Sequence, residues 1–265
     1  MKPKGIRKSP LEDPPLRNPG QSLDAEIQRL NLDRLLPYVM VPSMLVAFAL
    51  IELMRYYRPL PPSPWIAVTA ALLAVISSCF KVPRLRSKVR ALKLGRDGEK
   101  VVGQSLEELR SDGAIVLHDI TSNGFNVDHV VIAPNGIFVI ETKTRSKPNG
   151  RRGTIKYDGD TVLVDGKAPD RDPIRQVKAN NSWIQELICE STGKSFPVRP
   201  VVLFPGWFVE PLNSAAQNKV WVLNPKSLPS FIQHEKVSIA PEDVNLIAYH
   251  ISRYIRTEGA SRSTS

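Results

Sequence analysis

The stretch Asn126–Thr144, NVDHVVIAPNGIFVIETKT, decides how this chain is read. Two apolar runs, 126–132 and 137–143, flank the turn sequence Ala133-Pro134-Asn135-Gly136, which predicts a β-hairpin. Side chains two apart on a strand share a face. Glu141 and Lys143 therefore project together, beyond the apolar pair Ile137 and Val139. A four-residue loop pairs Ile132 with Ile137 and sets Asp128 opposite Glu141. An odd loop without a bulge turns Asp128 to the other face. Two adjacent carboxylates repel unless a cation lies between them, and unpaired buried charge is costly. Oxygen-only donors suit Mg2+, which binds through one or two carboxylates plus substrate phosphate. A lysine beside such a site offsets charge on a phosphoryl transition state or orients an attacking water. A structural ion-pair cluster at a sheet end uses the same residue types, so both readings stand at this point.

Outward from the hairpin, the texture from Gly95 onward is that of an α/β domain. Residues 97–111 predict a helix and 114–118 a short strand. Residues 153–167 predict a second hairpin turning at Asp158-Gly159. Residues 172–190, opened by Asp-Pro, predict a helix. Strands follow at 198–204 and 220–223, then helices near 225–234 and 241–256. His129 neighbours Asp128 on the opposite face and reads as a core residue, while His118, His234 and His250 carry no motif. Trp207 and Trp221 read as packing residues.

The chain has 265 residues and a net charge of +10. The charge is unevenly spread: residues 1–96 hold 16 Lys/Arg against 6 Asp/Glu, and the remainder is balanced at 20 against 20. A whole-chain argument for nucleic-acid binding from net charge therefore fails. With 42% hydrophobic residues wholesale disorder is excluded, and Cys79 and Cys189 cannot form a disulfide framework. No early apolar run precedes a small-residue cleavage site, which argues against a secretory signal.

Proline-rich residues 1–22 read as a disordered tail, and 23–36 as an amphipathic lead-in. Two apolar runs follow, Tyr38–Met54 and Trp65–Phe80, separated by RYYRPLPPSP at 55–64. Together, 37–80 predict a two-helix membrane hairpin, with Tyr56, Tyr57 and Trp65 as interfacial aromatics. The basic run 81–96 then carries seven Lys/Arg and no acid. By the positive-inside rule it places the following domain in the cytoplasm, against anionic lipid, with 81–94 as a juxtamembrane linker. Two buried helices of a soluble domain are the competing reading, but they leave the abrupt cationic flank without a reason.

Residues 95–205 resemble a NERD (nuclease-related) domain of the PD-(D/E)XK nuclease-like superfamily. The resemblance is carried by Gly95-x-x-Gly98-Glu99 opening the first helix and by the Asp128 strand. It continues through Gly136-Ile137-Phe138-Val139-Ile140-Glu141-Thr142-Lys143 and through Asp172-Pro173-x-x-Gln176 opening the later helix. It implies a restriction-endonuclease-like α-β-β-β-α-β core after the hairpin, a domain over 95–256 and a short tail at 257–265. It further implies a phosphodiesterase site using Mg2+ or Mn2+, with Asp128 and Glu141 as metal ligands. Glu99 is then an accessory carboxylate, Lys143 the transition-state cation, and Gln176 a contact from the second helix. Glu99 serves equally well as a first-turn acid favouring the helix dipole. Two departures stand out: Val127 replaces the proline often found before the first carboxylate, and Asn180 stands where a tyrosine would complete Gln-x3-Tyr.

Arg145, Lys147, Arg151, Arg152 and Arg175, with Lys156, Arg171 and Lys178, are candidates for a phosphate-tracking rim; a solvated loop is the alternative. The resulting expectation is a multi-pass protein of a prokaryotic inner membrane whose cytoplasmic domain hydrolyses nucleic acid, DNA foremost. A catalytically silent nuclease-like binding or scaffold module at the membrane is the alternative. Protein partners are not legible.

Overall fold

The computed structural model describes residues 16–57, 64–122, 124–147, 153–210 and 219–263. They divide into two compact units: Ser22–Arg96, and a second unit made of residues up to Gln21 together with Asp97–Ser265.

The second unit is mixed α/β. Its first helical residues are the C-terminal part of α3 (Pro64–Glu107), which closes in a 3-10 turn at Glu108–Asp112 and a left-handed Gly113. Strands β1 (Ile115–Thr121), β2 (Asn126–Ala133) and β3 (Gly136–Thr142) form an antiparallel meander. Helix α4 (Pro173–Thr192) crosses over to β6 (Val198–Leu203), parallel to β3. Strand β8 (Trp221–Leu223) extends the sheet to the order β1-β2-β3-β6-β8. The expected α-β-β-β-α-β core is thus present. A smaller sheet, β5-β4-β7, is built from β4 (Thr154–Tyr157), β5 (Val162–Val164) and β7 (Phe208–Val209). The two-residue β7 has no signature in the sequence. Helices α5 (Leu228–His234) and α6 (Pro241–Ser263) close the chain.

Local sequence explains the joints. Asp172 caps α4 by accepting from Ile174 N at 2.9 Å, Pro173 fills the first turn, and left-handed Gly193 ends the helix. The sheet buries both faces. One layer, including Ile137, Val139, Val202 and Ile184, packs with α4 and α6 residues. The other, with Phe138, Ile140, Val102 and Leu106, packs with α3 and α5 residues. Trp207, buried as expected, anchors the chain leaving β3: its Nε1 donates to Arg145 O at 3.2 Å, and its carbonyl accepts from Asn224 Nδ2 at 2.7 Å.

Several expected boundaries shift. Residues Leu16–Gly20, assigned to a tail ending at 22, lie against the α/β unit, where Arg17 meets Asp119. Of residues 257–265, expected as a tail, those up to Ser263 belong to α6. Residues 81–94, expected as a juxtamembrane linker, are helical throughout, as part of α3.

In the first unit, α1 (Gln21–Arg29) passes through a π-helical turn (Leu30–Leu35) into α2 (Leu36–Tyr56). At 21 residues, α2 is about 31 Å long, close to the thickness of a bilayer core. It and the apolar part of α3 are long and apolar enough to cross a membrane and are candidate spans. Their large side chains face outward: Met54 is 70% and Leu73 68% exposed, with Trp65 and Phe80 similar. Tyr38 ties the two helices together. Its hydroxyl accepts from Lys81 Nζ at 3.0 Å and its carbonyl from Ser78 Oγ at 2.9 Å. The basic stretch is partly neutralised by α1, through Lys88–Glu26 at 3.4 Å and Arg96–Asp24 at 3.0 Å. Most of the interhelical turn, residues 58–63, lies outside the described residues.

Gly153 shows how tightly the small sheet is fitted. A Cβ built there would sit 2.3 Å from the rigid Trp207 ring. Gly153→Ala is expected to cost about 1–3 kcal/mol and to lower the thermal midpoint by roughly 2–4 °C per kcal/mol. Near-ultraviolet circular dichroism melting of the full chain checks this, and an unchanged midpoint contradicts the packing account.

Candidate functional site

The hairpin register settles the position of the first carboxylates. Ala133 pairs with Gly136 and His129 with Ile140, so the loop is the two residues Pro134-Asn135. It is shorter than the four-residue loop expected, yet also even, and the same count carries Asp128 to Glu141. Asp128 Oδ2 accepts from Thr142 N at 2.7 Å, directly beside Glu141.

On its other side β2 meets β1, where His118 pairs with His129 and Ile120 with Val127. The rung between them, Asp119 with Asp128, is missing from the ladder. Asp119 has φ +52°, a left-handed conformation that aspartate tolerates better than most residues. Across this rung the alternation slips: Leu117 and Ile120, three apart, share one core layer, as do Val127 and Val130. The irregularity spares two buried carboxylates from strict strand alternation.

Glu99 reaches the same region from α3. It draws one hydrogen bond from the Gly20 backbone N–H, while its Oε2 is buried without a partner. The adjacent Gly98 is required by close approach, since a Cβ there would lie 1.7 Å from Thr144 Oγ1. Thr144 directly follows Lys143, so this contact sets the distance between α3 and the end of β3.

Lys143 Nζ donates to Glu141 Oε1 at 2.7 Å and to Gln176 Oε1 at 2.8 Å. Helix α4 supplies Gln176 and, one turn later, Asn180, whose Nδ2 lies 3.2 Å from Glu141 Oε2 and 3.3 Å from Asn126 O. Gln176 therefore contacts Lys143. Asn180, standing where a tyrosine would complete Gln-x3-Tyr, donates to the Glu141 carboxylate.

Electrostatics follow from burial. Glu99 is pushed up to about 8, by burial first and then by the charges of Asp119 and Glu141. Burial likewise raises Asp128 well above the usual carboxylate range, reinforced by Glu141 and Glu99. Glu141 is raised by burial against the opposing pull of Lys143. The cluster thus holds more carboxylate than nearby cation.

Two features escaped the sequence reading. Asp119, fully buried, accepts from Arg17 Nε at 2.6 Å and Asn126 Nδ2 at 2.8 Å. It lies in a strand predicted to stop at 118, and its partner Arg17 lies 102 positions away, so neither could be paired by local pattern. His118, read as isolated, faces His129 with Nδ1 atoms 2.8 Å apart, while its Nε2 lies 2.8 Å from Glu107 Oε1. Burial holds His129 well below the ordinary histidine value. That pair sits within the core, consistent with the reading of His129.

The basic rim is only partly assembled. Arg175 is exposed one residue before Gln176. Arg145 lies 4.0 Å from Asp170, and Lys147 lies 6.0 Å from the Trp207 ring centre. Lys156 pairs with Glu210 at 3.5 Å. Lys178 points elsewhere: it lines a cavity of about 1110 Å3 with Phe138, Arg199 and Trp221, near the starts of β3, β6 and β8. Arg151 and Arg152 lie outside the described residues.

Among the described residues, no group of three or more His, Cys, Asp or Glu is gathered closely enough to ligate one ion. Two carboxylates do suit Mg2+, which keeps several waters and takes substrate oxygens. The unpartnered Glu99 Oε2 and the raised carboxyls have the chemistry of a site short of positive charge.

Residues 94–205 match the sequence profile of a family described as Nuclease-related domain, NERD. An uncharacterized protein of Bacillus anthracis is 41% identical over 54 residues, covering 18% of this chain and 26% of that protein. The chain thus spans about a quarter of that relative's length. No solved structure matches the chain.

Glu99 makes stability pH-dependent. An acid whose folded pKa exceeds its unfolded value binds more protons when folded, so stability falls as pH rises between the two values. For Glu99 the window runs from about 4.5 to about 8. In EDTA, the thermal midpoint is expected to decline across that window, and Glu99→Gln to flatten the decline. A decline of equal slope in the variant contradicts the assignment.

Proposed function

With residues 94–205 a nuclease-related domain, we propose that the chain is a membrane-anchored, divalent-metal-dependent phosphodiesterase acting on nucleic acid at the cytoplasmic face. The observation that carries this reading is the meeting of Asp128, Glu141 and Lys143 at one sheet end, with Glu99 approaching from α3.

Asp128 and Glu141 would hold Mg2+ or Mn2+, with Glu99 as an accessory carboxylate. When bound, the cation supplies Lewis-acid polarisation and a lowered pKa for its water. The remaining work falls to side chains. Gln176 and Glu141 fix the Lys143 ammonium in place, so it meets developing phosphoryl charge without reorganising first. Asn180 and the Thr142 N–H hold the two carboxylates in orientation. Arg175, exposed beside Gln176, and Arg145 would meet backbone phosphates. The balanced charge of residues 97–265 limits long-range attraction for a polyanion. A tether beside anionic lipid, with the seven cations of 81–96 toward the cytoplasm, supports a multi-pass inner-membrane location.

One observation favours the silent-module alternative: no three-group metal cluster is preassembled among the described residues. Metal titration separates the two readings. Full-length protein in detergent is expected to cleave single- or double-stranded DNA or RNA with Mg2+ or Mn2+ but not in EDTA. Asp128→Ala and Glu141→Ala are each expected to abolish cleavage, and Lys143→Ala to reduce it by roughly 100-fold or more. Cleavage that survives Asp128→Ala and Glu141→Ala refutes the reading.

A further inference from the structure

We infer that the segment Arg17–Gly20, outside the nuclease-related match, is part of the proposed metal-dependent site and that Arg17 is a positioning residue for Glu99. This rests on the phosphodiesterase reading, since it assigns a role within that site.

Three contacts fasten the segment to the α/β unit. Arg17 Nε donates to Asp119 Oδ2 at 2.6 Å, and that carboxylate is fully buried. Its other oxygen accepts from Asn126 Nδ2, so Asp119 is gripped at both oxygens. The Gly20 N–H donates to the Glu99 carboxylate. Between these points Pro19 lies over Gly103, so close that a Cβ at 103 would sit 2.5 Å from Pro19 Cγ and 2.9 Å from Pro19 Cβ. Glu99 and Gly103 are one helical turn apart on the same face of α3. The segment therefore lies along that face, pinned at one end by a buried charge pair and touching the accessory carboxylate at the other.

The consequence is a division of labour at Glu99. One oxygen is oriented by the Gly20 amide, leaving Oε2 buried with no partner. A hydrogen bond to one carboxylate oxygen fixes the direction of the second. Supporting contacts of this kind hold a ligand in orientation, and their loss weakens metal affinity by roughly 10–100-fold. Because residue 20 immediately precedes α1, a fragment beginning at 94 lacks this support although it contains all the matched residues.

The test uses the full chain in detergent. Mn2+ affinity is read by electron paramagnetic resonance, the Gly20 amide by hydrogen exchange, and the fold by thermal melting. Arg17→Ala is expected to weaken Mn2+ binding by about 10–100-fold and to speed Gly20 exchange, with Arg17→Lys recovering part of both. Gly103→Ala removes no charge and favours the helix, yet should displace Pro19 and weaken Mn2+ in the same direction. Deleting residues 2–20 should match Arg17→Ala, whereas deleting 2–15 should leave Mn2+ affinity unchanged. If Arg17→Ala and the 2–20 deletion keep wild-type affinity while Asp128→Ala loses it, the inference fails and the phosphodiesterase reading stands. If wild-type protein binds no Mn2+, the reading fails and takes the inference with it.

Discussion

Burying negative charge at the end of a β-sheet is the constraint around which this domain is arranged. Asp119, Asp128, Glu141 and Glu99 are all buried, and each buried ion carries a penalty of several kcal/mol unless it is paired. The chain meets that cost from many directions: Arg17 and Asn126 for Asp119, a strand amide for Asp128, Lys143 and Asn180 for Glu141, the Gly20 amide for Glu99. The compensation is incomplete. Three of the carboxyls remain raised by burial and by one another. Such a cluster is stable with a proton or with a cation, and the second option is the one the proposed metal-dependent reaction would use.

Geometry and electrostatics share their causes. The absent rung between Asp119 and Asp128 brings two carboxylates to the same sheet region, at the expense of a left-handed backbone at Asp119. Gly98 brings α3 close enough for Glu99 to join them. Helix α4, started by its Asp172-Pro173 cap, lays Gln176 and Asn180 one turn apart along the edge of the site. The carboxylate cluster lies at the carboxyl ends of parallel strands β3 and β6, where α/β sheets commonly bind ligands. The large cavity at their opposite ends contains none of these residues.

The helical unit obeys a different constraint. Most apolar side chains of α2 and of the apolar part of α3 point outward, beyond the small cluster of Ile27, Leu30 and Val89, an arrangement suited to a lipid surrounding. Its basic stretch is helical and partly paired with α1, so part of the positive charge that suggested a bare lipid-facing linker is answered within the unit.

Local pattern in the sequence carried the order of strands and helices, the two apolar helices, and the shared face of Glu141 and Lys143, with Asp128 opposite Glu141 for an even loop. These depend on strand alternation, loop parity and helix caps, all local and periodic. Gln176 was legible only through the resemblance to nuclease-related domains, whose pattern continues through Asp172-Pro173-x-x-Gln176. Only the tertiary structure decided that Asn180 serves Glu141, that His118 and His129 form a pair, and that Arg17 reaches Asp119. Those contacts join residues 11 to 102 positions apart, across elements whose mutual placement no local pattern encodes. The length of α3 was hidden for a related reason. Composition changes abruptly at Lys81 and again at Gly95, but a helix backbone tolerates both changes, so one element runs through what reads as three.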